Sequence, residues 1–149
     1  MNKIYFFIRL VLVFLFFAQN AFAMKSSFFS KGKELFEEKE YKKSKILFEK
    51  DIVFNPKSEK SYLYLAKIFS KEDKDEDQEI NLQNVILLNP KNDEAIYMLT
   101  LLKIKQSDYF EAKKLIETFD LVCESFCSKK PEIEEKFDKL IPLNAKSNN

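Results

Sequence analysis

A period of 34 residues constrains the fold of this chain more than any other feature of its sequence. Two Asn-Pro pairs, at 55–56 and 89–90, lie one period apart, and the same step leads from Phe48 to Leu82 and on to Ile116. Because the residue before a proline is disfavoured in the α region, each Asn-Pro pair predicts the end of a helix. A fixed period of this length predicts a stack of similar helical units.

The composition agrees with helical units. Charged residues make up 33% of the chain, phenylalanine and tyrosine are frequent, and Gly32 is the only glycine. These proportions suit amphipathic helices and leave few of the turns that strands require. Ser58 and Asn92 are suitable N-caps for the helices that follow the two Asn-Pro pairs. We therefore predict an all-α protein with helices near residues 26–38, 42–54, 59–71, 76–88, 93–106, 109–122 and 131–141.

Recurring residue types place two helices in each unit. Tyr41 and Tyr109 lie two periods apart, at the openings of equivalent helices. The first helix of each unit has one small residue, where paired helices approach closely, at Gly32, Ala66 and Thr100. Over about residues 25–122 these features resemble the tetratricopeptide repeat family. The resemblance implies tandem antiparallel helix-turn-helix repeats, at about 25–58, 59–92 and 93–122, that form a short right-handed solenoid.

The sequence departs from the family pattern at several positions. Ile96 stands in the third unit where Phe28 and Tyr62 provide a large aromatic residue in the first two. Larger or polar side chains occupy sites that are small in the family, at Asp51, Gln78 and Phe119. No proline closes the third unit, so its second helix has no equivalent stop signal.

The C-terminal segment predicts one more helix, over residues 131–141. It opens with Pro131 in the first turn and has acidic residues at the positive end of the helix dipole. Ile133, Phe137 and Leu140 form one apolar stripe. We expect this helix to cap the solenoid, whose end otherwise exposes a hydrophobic face. We expect the polar residues 142–149 to be disordered.

The N-terminus has the three parts of a secretory signal peptide. Lys3 and Arg9 are basic, residues 10–18 are apolar, and Ala21 and Ala23 are small residues at the cleavage positions. An uncleaved anchor is the alternative, but a spanning helix needs about 20 apolar residues. We predict cleavage after Ala23, a periplasmic or secreted helical domain over residues 24–141, and no stable membrane insertion after cleavage.

The sequence argues against an enzyme. It has no histidine, which removes the commonest general base and the usual imidazole metal ligand. With a single glycine, no phosphate-binding loop can be built. Asp73, Asp75 and Asp77 alternate like the start of a calcium loop, but Gln78 stands where that loop needs glycine. Positive and negative charges are mixed along a chain of net charge +1, so we expect no catalytic residue, no cofactor, no metal and no nucleic-acid partner.

The two cysteines, Cys123 and Cys127, are spaced i, i+4. Two thiolates without histidine cannot complete a zinc site unless two chains pair. A redox-catalytic pair normally has the spacing C-x-x-C. Because an oxidising compartment favours disulfides, we expect these residues to be joined where the helix unwinds.

The resemblance also implies a function, which is the capture of another protein in a concave groove lined by the first helices. We expect the partner to be a segment of another cell-envelope protein. Phe29, Leu63 and Tyr97 are the expected anchors for it, and Lys33 and Lys67 are expected to orient it. An alternative is a structural module that assembles with copies of itself, and the sequence does not fix the oligomeric state. The family register assigns to the groove Phe29, Lys33, Phe36, Lys60, Leu63, Lys67, Tyr97, Leu101 and Ile104.

Overall fold

A computed structural model describes residues 28–140, and within this range the chain has seven α-helices and no strand. The first helix, α1, covers residues 28–37. It is followed by α2 (Tyr41–Phe54), α3 (Glu59–Lys71), α4 (Asp75–Leu88), α5 (Asp93–Lys105), α6 (Tyr109–Val122) and α7 (Lys130–Asp138), with a 3₁₀ turn at Cys127–Lys129 before α7. The predicted signal peptide and disordered tail lie outside the described residues. Within residues 28–140, no helix combines the length and the apolar character that crossing a membrane requires.

The predicted all-α fold is confirmed, and the bounds of α2 to α6 differ from those expected by at most one residue at either end. The C-terminal helix was predicted to reach residue 141 but ends at Asp138. The reason is a turn, in which the Leu140 N–H donates to the Phe137 carbonyl oxygen over 2.9 Å. Pro131 lies in the first turn of this helix, as predicted.

Within the described residues the chain forms two compact units, the first ending at Ser61 and the second beginning at Tyr62. In the first unit, α1 and α2 approach closely at Gly32. The Ser44 hydroxyl donates to the Gly32 carbonyl oxygen over 2.8 Å. A Cβ atom at Gly32 would lie 2.9 Å from the ring of Phe48, which is fully buried. The small residue expected at this position is therefore needed for the packing of the pair.

Asp51 of α2 is buried in the same unit, at a position where the family has a small residue. Its Oδ2 atom accepts hydrogen bonds of 2.5 Å from the hydroxyls of Ser58 and Ser61. A buried carboxylate needs such donors because desolvation without them is very unfavourable. Ser58 was expected to cap α3, and its hydroxyl also helps to hold α2 against the start of that helix.

The second unit has one hydrophobic core, to which α3, α4, α5, α6 and α7 contribute. Ile96 and Phe119 are both fully buried in it. Two of the departures from the family pattern thus occur in one cluster, a smaller residue at one site and a larger one at another. The Thr100 hydroxyl is satisfied within α5, because it donates to the Ile96 carbonyl oxygen over 2.8 Å. The other core residues are Leu63, Ala66, Leu82, Val85, Ala95, Leu99, Leu102, Leu115 and Ile133.

The first helix of each predicted repeat ends in the same turn. A left-handed residue recurs every 34 positions, with φ of 64°, 52° and 60° at Lys39, Asp73 and Ser107. The next N–H donates to a carbonyl five residues earlier, in the pairs Glu40 to Leu35, Lys74 to Phe69 and Asp108 to Lys103. This is the Schellman motif, which normally has glycine at the left-handed position. The chain makes the turn three times without glycine.

Candidate protein-binding site

In the first unit, the residues expected to face a ligand are partly occupied by intramolecular contacts. The Phe29 ring packs against Phe48 with centroids 5.8 Å apart, and the Phe36 ring meets Tyr41 edge-on at 5.3 Å. Lys33 is exposed and lies 3.6 Å from the Glu37 carboxylate. Lys60 is also exposed. The two lysines are thus at the surface, whereas both phenylalanines are half-buried.

In the second unit, Leu63 was expected to anchor a ligand, but it is only 8% exposed and belongs to the core. Its side chain is therefore not presented at a surface. Lys67 forms an ion pair of 2.7 Å with Glu94, and both side chains are mostly buried. Ile104 packs against the core, and Leu101 also borders a small depression of 350 Å³.

Tyr97, the third expected anchor, is held by the C-terminal helix. Its hydroxyl donates to Glu132 of α7 over 3.0 Å, and its ring lies 5.7 Å from that of Phe126. Burial, together with the bond to Glu132, raises the pKa of Tyr97 to about 12. Hydrogen bonds from Lys136, Tyr97 and Lys129 hold the pKa of Glu132 at about 2. Tyr97 is thus held by contacts with α7 and with the loop that precedes it.

The loop that leads to α7 is closed by a disulfide between Cys123 and Cys127, whose Cα atoms are 5.2 Å apart. Cys123 follows the last residue of α6, so the bond lies where the helix has ended. The three backbone N–H groups of residues 124–126 donate to one oxygen of Asp93, over 2.8, 2.6 and 2.8 Å. Burial acts to raise the pKa of Asp93, but these hydrogen bonds lower it below its ordinary value. This site therefore has a structural role at the start of α5.

A larger opening lies on the other side of α5, between the second helices α4 and α6. This second-helix cleft has a volume of 710 Å³. Ile96, Leu99 and Leu115 form its apolar floor. Leu87 of α4 and Phe110 of α6 stand at its walls and are 78% and 79% exposed. Large apolar side chains so exposed beside a concave surface are typical of a binding site.

The charged groups at the rim of the cleft pair largely with one another. Lys103 donates to Glu79 over 2.7 Å and to Gln106 over 3.0 Å. Lys114 lies 3.4 Å from Glu111. The Asp108 carboxylate caps α6 by accepting from the Glu111 N–H. A ligand in this cleft would therefore gain most from apolar contacts.

Several solved structures are similar to this chain. The Arabidopsis OM64 TPR domain aligns with a TM-score of 0.70 at 18% identity, over 78% of this chain and 96% of that one. The TPR domain of Sgt2 from Aspergillus fumigatus gives 0.66 at 18% identity, over 78% and 80%. The TPR2B domain of yeast Sti1, solved in a complex with pHsp70, gives 0.66 at 16% identity, over 78% and 94%. The fold is that of a tetratricopeptide repeat domain.

At these identities the likeness establishes the tetratricopeptide repeat fold alone. No known family's sequence model matches the chain, and no curated protein matches it. The fold requires a turn at the end of the first helix of each repeat and a small buried residue within that helix. This sequence has both in all three repeats.

The second-helix cleft was not predicted from the sequence, although one of its wall residues, Leu87, belongs to a periodic set of exposed apolar residues. Val53, Leu87 and Leu121 lie 34 residues apart and are 74%, 78% and 86% exposed. A tetratricopeptide fold buries the inner face of each second helix, so an apolar residue that recurs on the outer face has no packing role.

Among the described residues, no group of three acidic or cysteine side chains is placed to hold a metal ion. The acidic run at the start of α4 is explained by a turn and an ion pair. Asp73 has the left-handed backbone of that turn, and Asp75 lies 2.7 Å from the Lys105 ammonium.

Proposed function

We propose that this protein is an exported, non-catalytic interaction module that binds a short apolar segment of another cell-envelope protein in the second-helix cleft. The observation that carries the proposal is the pair Leu87 and Phe110, two large apolar side chains exposed on opposite walls of one cleft. Neither side chain stabilises the core, and both are free to contact a ligand.

The dimensions and charges of the cleft define the kind of segment. A volume of 710 Å³ lies within the roughly 300–1,000 Å³ of typical ligand sites, so it fits a few side chains rather than a folded domain. Binding energy in protein interfaces is concentrated in a few buried aromatic or large apolar contacts. Because the rim charges pair with one another, the partner needs apolar side chains more than a particular charge.

Two further considerations support the proposal. The N-terminal residues up to Ala23 have the pattern of a cleaved signal peptide, which would deliver the domain to the cell envelope and to partners there. Binding of another protein is known for this fold, since the TPR2B domain of yeast Sti1 was solved in a complex with pHsp70. The proposed function requires no catalytic group.

The test is capture of partners from periplasmic extract by immobilised protein that begins at Met24. Leu87→Ser and Phe110→Ser remove the two wall side chains without opening the core. Leu121→Ser is the matched control, because Leu121 is equally exposed on α6 but does not line the cleft. We expect both cleft variants to lose at least tenfold in recovery of a partner that the control retains. Equal recovery by all three variants would exclude the cleft.

The first-helix residues are tested in parallel. Lys33→Glu combined with Lys67→Glu reverses two of the charges that the family register assigns to the groove. A loss of recovery in this variant, with none in the cleft variants, would place the partner on the first helices instead.

Self-assembly is the second candidate, and the exposed apolar residues of the second helices are the observation that favours it. Light scattering on the mature protein distinguishes the two functions. We expect a monomer. A stable oligomer that Leu87→Ser dissociates would mean that the cleft serves a second copy of this chain.

A further inference from the structure

The segment between α6 and α7 combines a covalent ring with a charged anchor. The Cys123–Cys127 disulfide closes the ring, and the three N–H groups within it converge on the Asp93 carboxylate at the start of α5. Three consecutive N–H groups reach a single oxygen only if the backbone is held in a tight curve. The ring restricts the backbone to conformations of that kind.

This loop leads into α7, whose own packing against the rest of the unit is limited. Beyond it, Ile133 of α7 is buried in the core, and Glu132 accepts from the Tyr97 hydroxyl. The ring of Phe137 stacks on that of Tyr109 at 4.9 Å. Because α7 has only nine residues and one buried side chain, its position depends on the loop as well as on its own packing.

We propose that the Cys123–Cys127 disulfide is a redox latch, whose reduction releases α7 and uncovers Tyr97 on α5. This inference goes beyond the proposed function and does not depend on it. The reductant is a dithiol. Its first thiolate attacks one cysteine sulfur and breaks the S–S bond, and its second then displaces the mixed disulfide. The dithiol ends as a disulfide, while Cys123 and Cys127 gain two electrons and two protons as thiols.

The position and size of the ring favour this role. Cys127 is exposed at the start of the 3₁₀ turn, so a reductant can reach it. Opening a ring of about five residues increases the population of the open loop by about thirtyfold in the chain-entropy description. Reduction leaves the Asp93 carboxylate in place but frees the backbone from the arrangement in which all three N–H groups donate to it.

Hydrogen exchange of the full-length chain tests the latch, with and without dithiothreitol. We expect reduction to speed amide exchange at least tenfold in residues 124–138. The exchange rate of α4 should change by less than twofold. The variant Cys123→Ser with Cys127→Ser should exchange like the reduced protein whether or not dithiothreitol is present. This control separates the loss of the bond from other effects of the reagent.

Two results would overturn the proposal. Equal exchange of α7 in the oxidised and reduced wild-type protein would show that the disulfide does not hold the helix. Faster exchange throughout α4, α5 and α7 would show that the bond supports the whole unit rather than one movable helix. The reduced wild-type protein provides both readouts even if the double variant does not fold.

Discussion

Tyr97 donates its hydroxyl proton to Glu132 over 3.0 Å, and this bond joins α5 to a helix 35 residues further along the chain. The acceptor is charged and the donor is half-buried, so the bond belongs to the stronger class of side-chain hydrogen bonds. The bond therefore links Tyr97, which was expected to bind a ligand, to the C-terminal helix α7.

We expect Tyr97→Phe to lower the free energy of unfolding by about 1–2 kcal/mol, because it removes one hydrogen bond to a charged group and keeps the ring. Urea denaturation followed by circular dichroism measures the change. Tyr109→Phe is the matched control, since Tyr109 also contacts α7 through its ring. We expect that variant to change stability by less than about 0.5 kcal/mol. Equal losses in the two variants would show that the bond from Tyr97 to Glu132 contributes no more than the loss of a hydroxyl group elsewhere.

The same pair predicts how stability depends on pH. The pKa of Glu132 is lowered from 4.5 to about 2, so its contribution is complete above pH 4.5 and is lost as the pH falls towards 2. The pKa of Tyr97 is raised from 10.0 to about 12, so its contribution is complete below pH 10 and is lost as the pH rises towards 12. Melting temperatures of the wild-type protein and Glu132→Gln should therefore converge at both extremes. A constant difference from pH 2 to pH 12 would contradict this account.

Gly32 provides a test of packing in the first unit. A methyl group there would lie 2.9 Å from the buried ring of Phe48. We expect Gly32→Ala to destabilise by about 1 kcal/mol, because overpacking exceeds the gain in helix propensity. In a Phe48→Leu background, Gly32→Ala should stabilise the protein instead, because the smaller side chain leaves room for the methyl group. Thermal denaturation of the wild-type protein, the two single variants and the double variant measures these changes. Stabilisation by Gly32→Ala alone would refute the close approach.

Export predicts a defined N-terminus. Signal peptidase cleavage after Ala23 would make Met24 the first residue of the protein recovered from the periplasm. Intact-mass analysis measures this directly. Recovery of the full-length chain from the membrane fraction would show that the segment is retained as an anchor.

The helices could be predicted because their signals are local and repeated. The Asn55-Pro56 and Asn89-Pro90 pairs end α2 and α4, and the Asn92 side chain caps α5 by accepting from the Ala95 N–H, as expected. Gly32 marked the close helix contact because only a small residue fits there.

The site was harder to predict because it depends on distances between helices. The family register expects Leu63 to project from the first helix, but α3 also buries Leu65, Ile68 and Phe69, so burial extends around most of its circumference. The bond from Tyr97 to Glu132 joins residues with no common pattern in the sequence. The second-helix cleft depends on the spacing of α4 and α6, which no periodicity encodes.

The three left-handed turns at Lys39, Asp73 and Ser107 also affect how the protein can be engineered. Each places a side chain where glycine is favoured, at a conformational penalty of about 1 kcal/mol. Lys39→Gly, Asp73→Gly and Ser107→Gly should each raise the melting temperature, as differential scanning calorimetry would measure, and a lower value would show that the turns are unstrained. None of these residues lines the second-helix cleft. The chain therefore has three positions, away from its proposed contact surface, at which heat tolerance and shelf life can be improved without redesigning recognition.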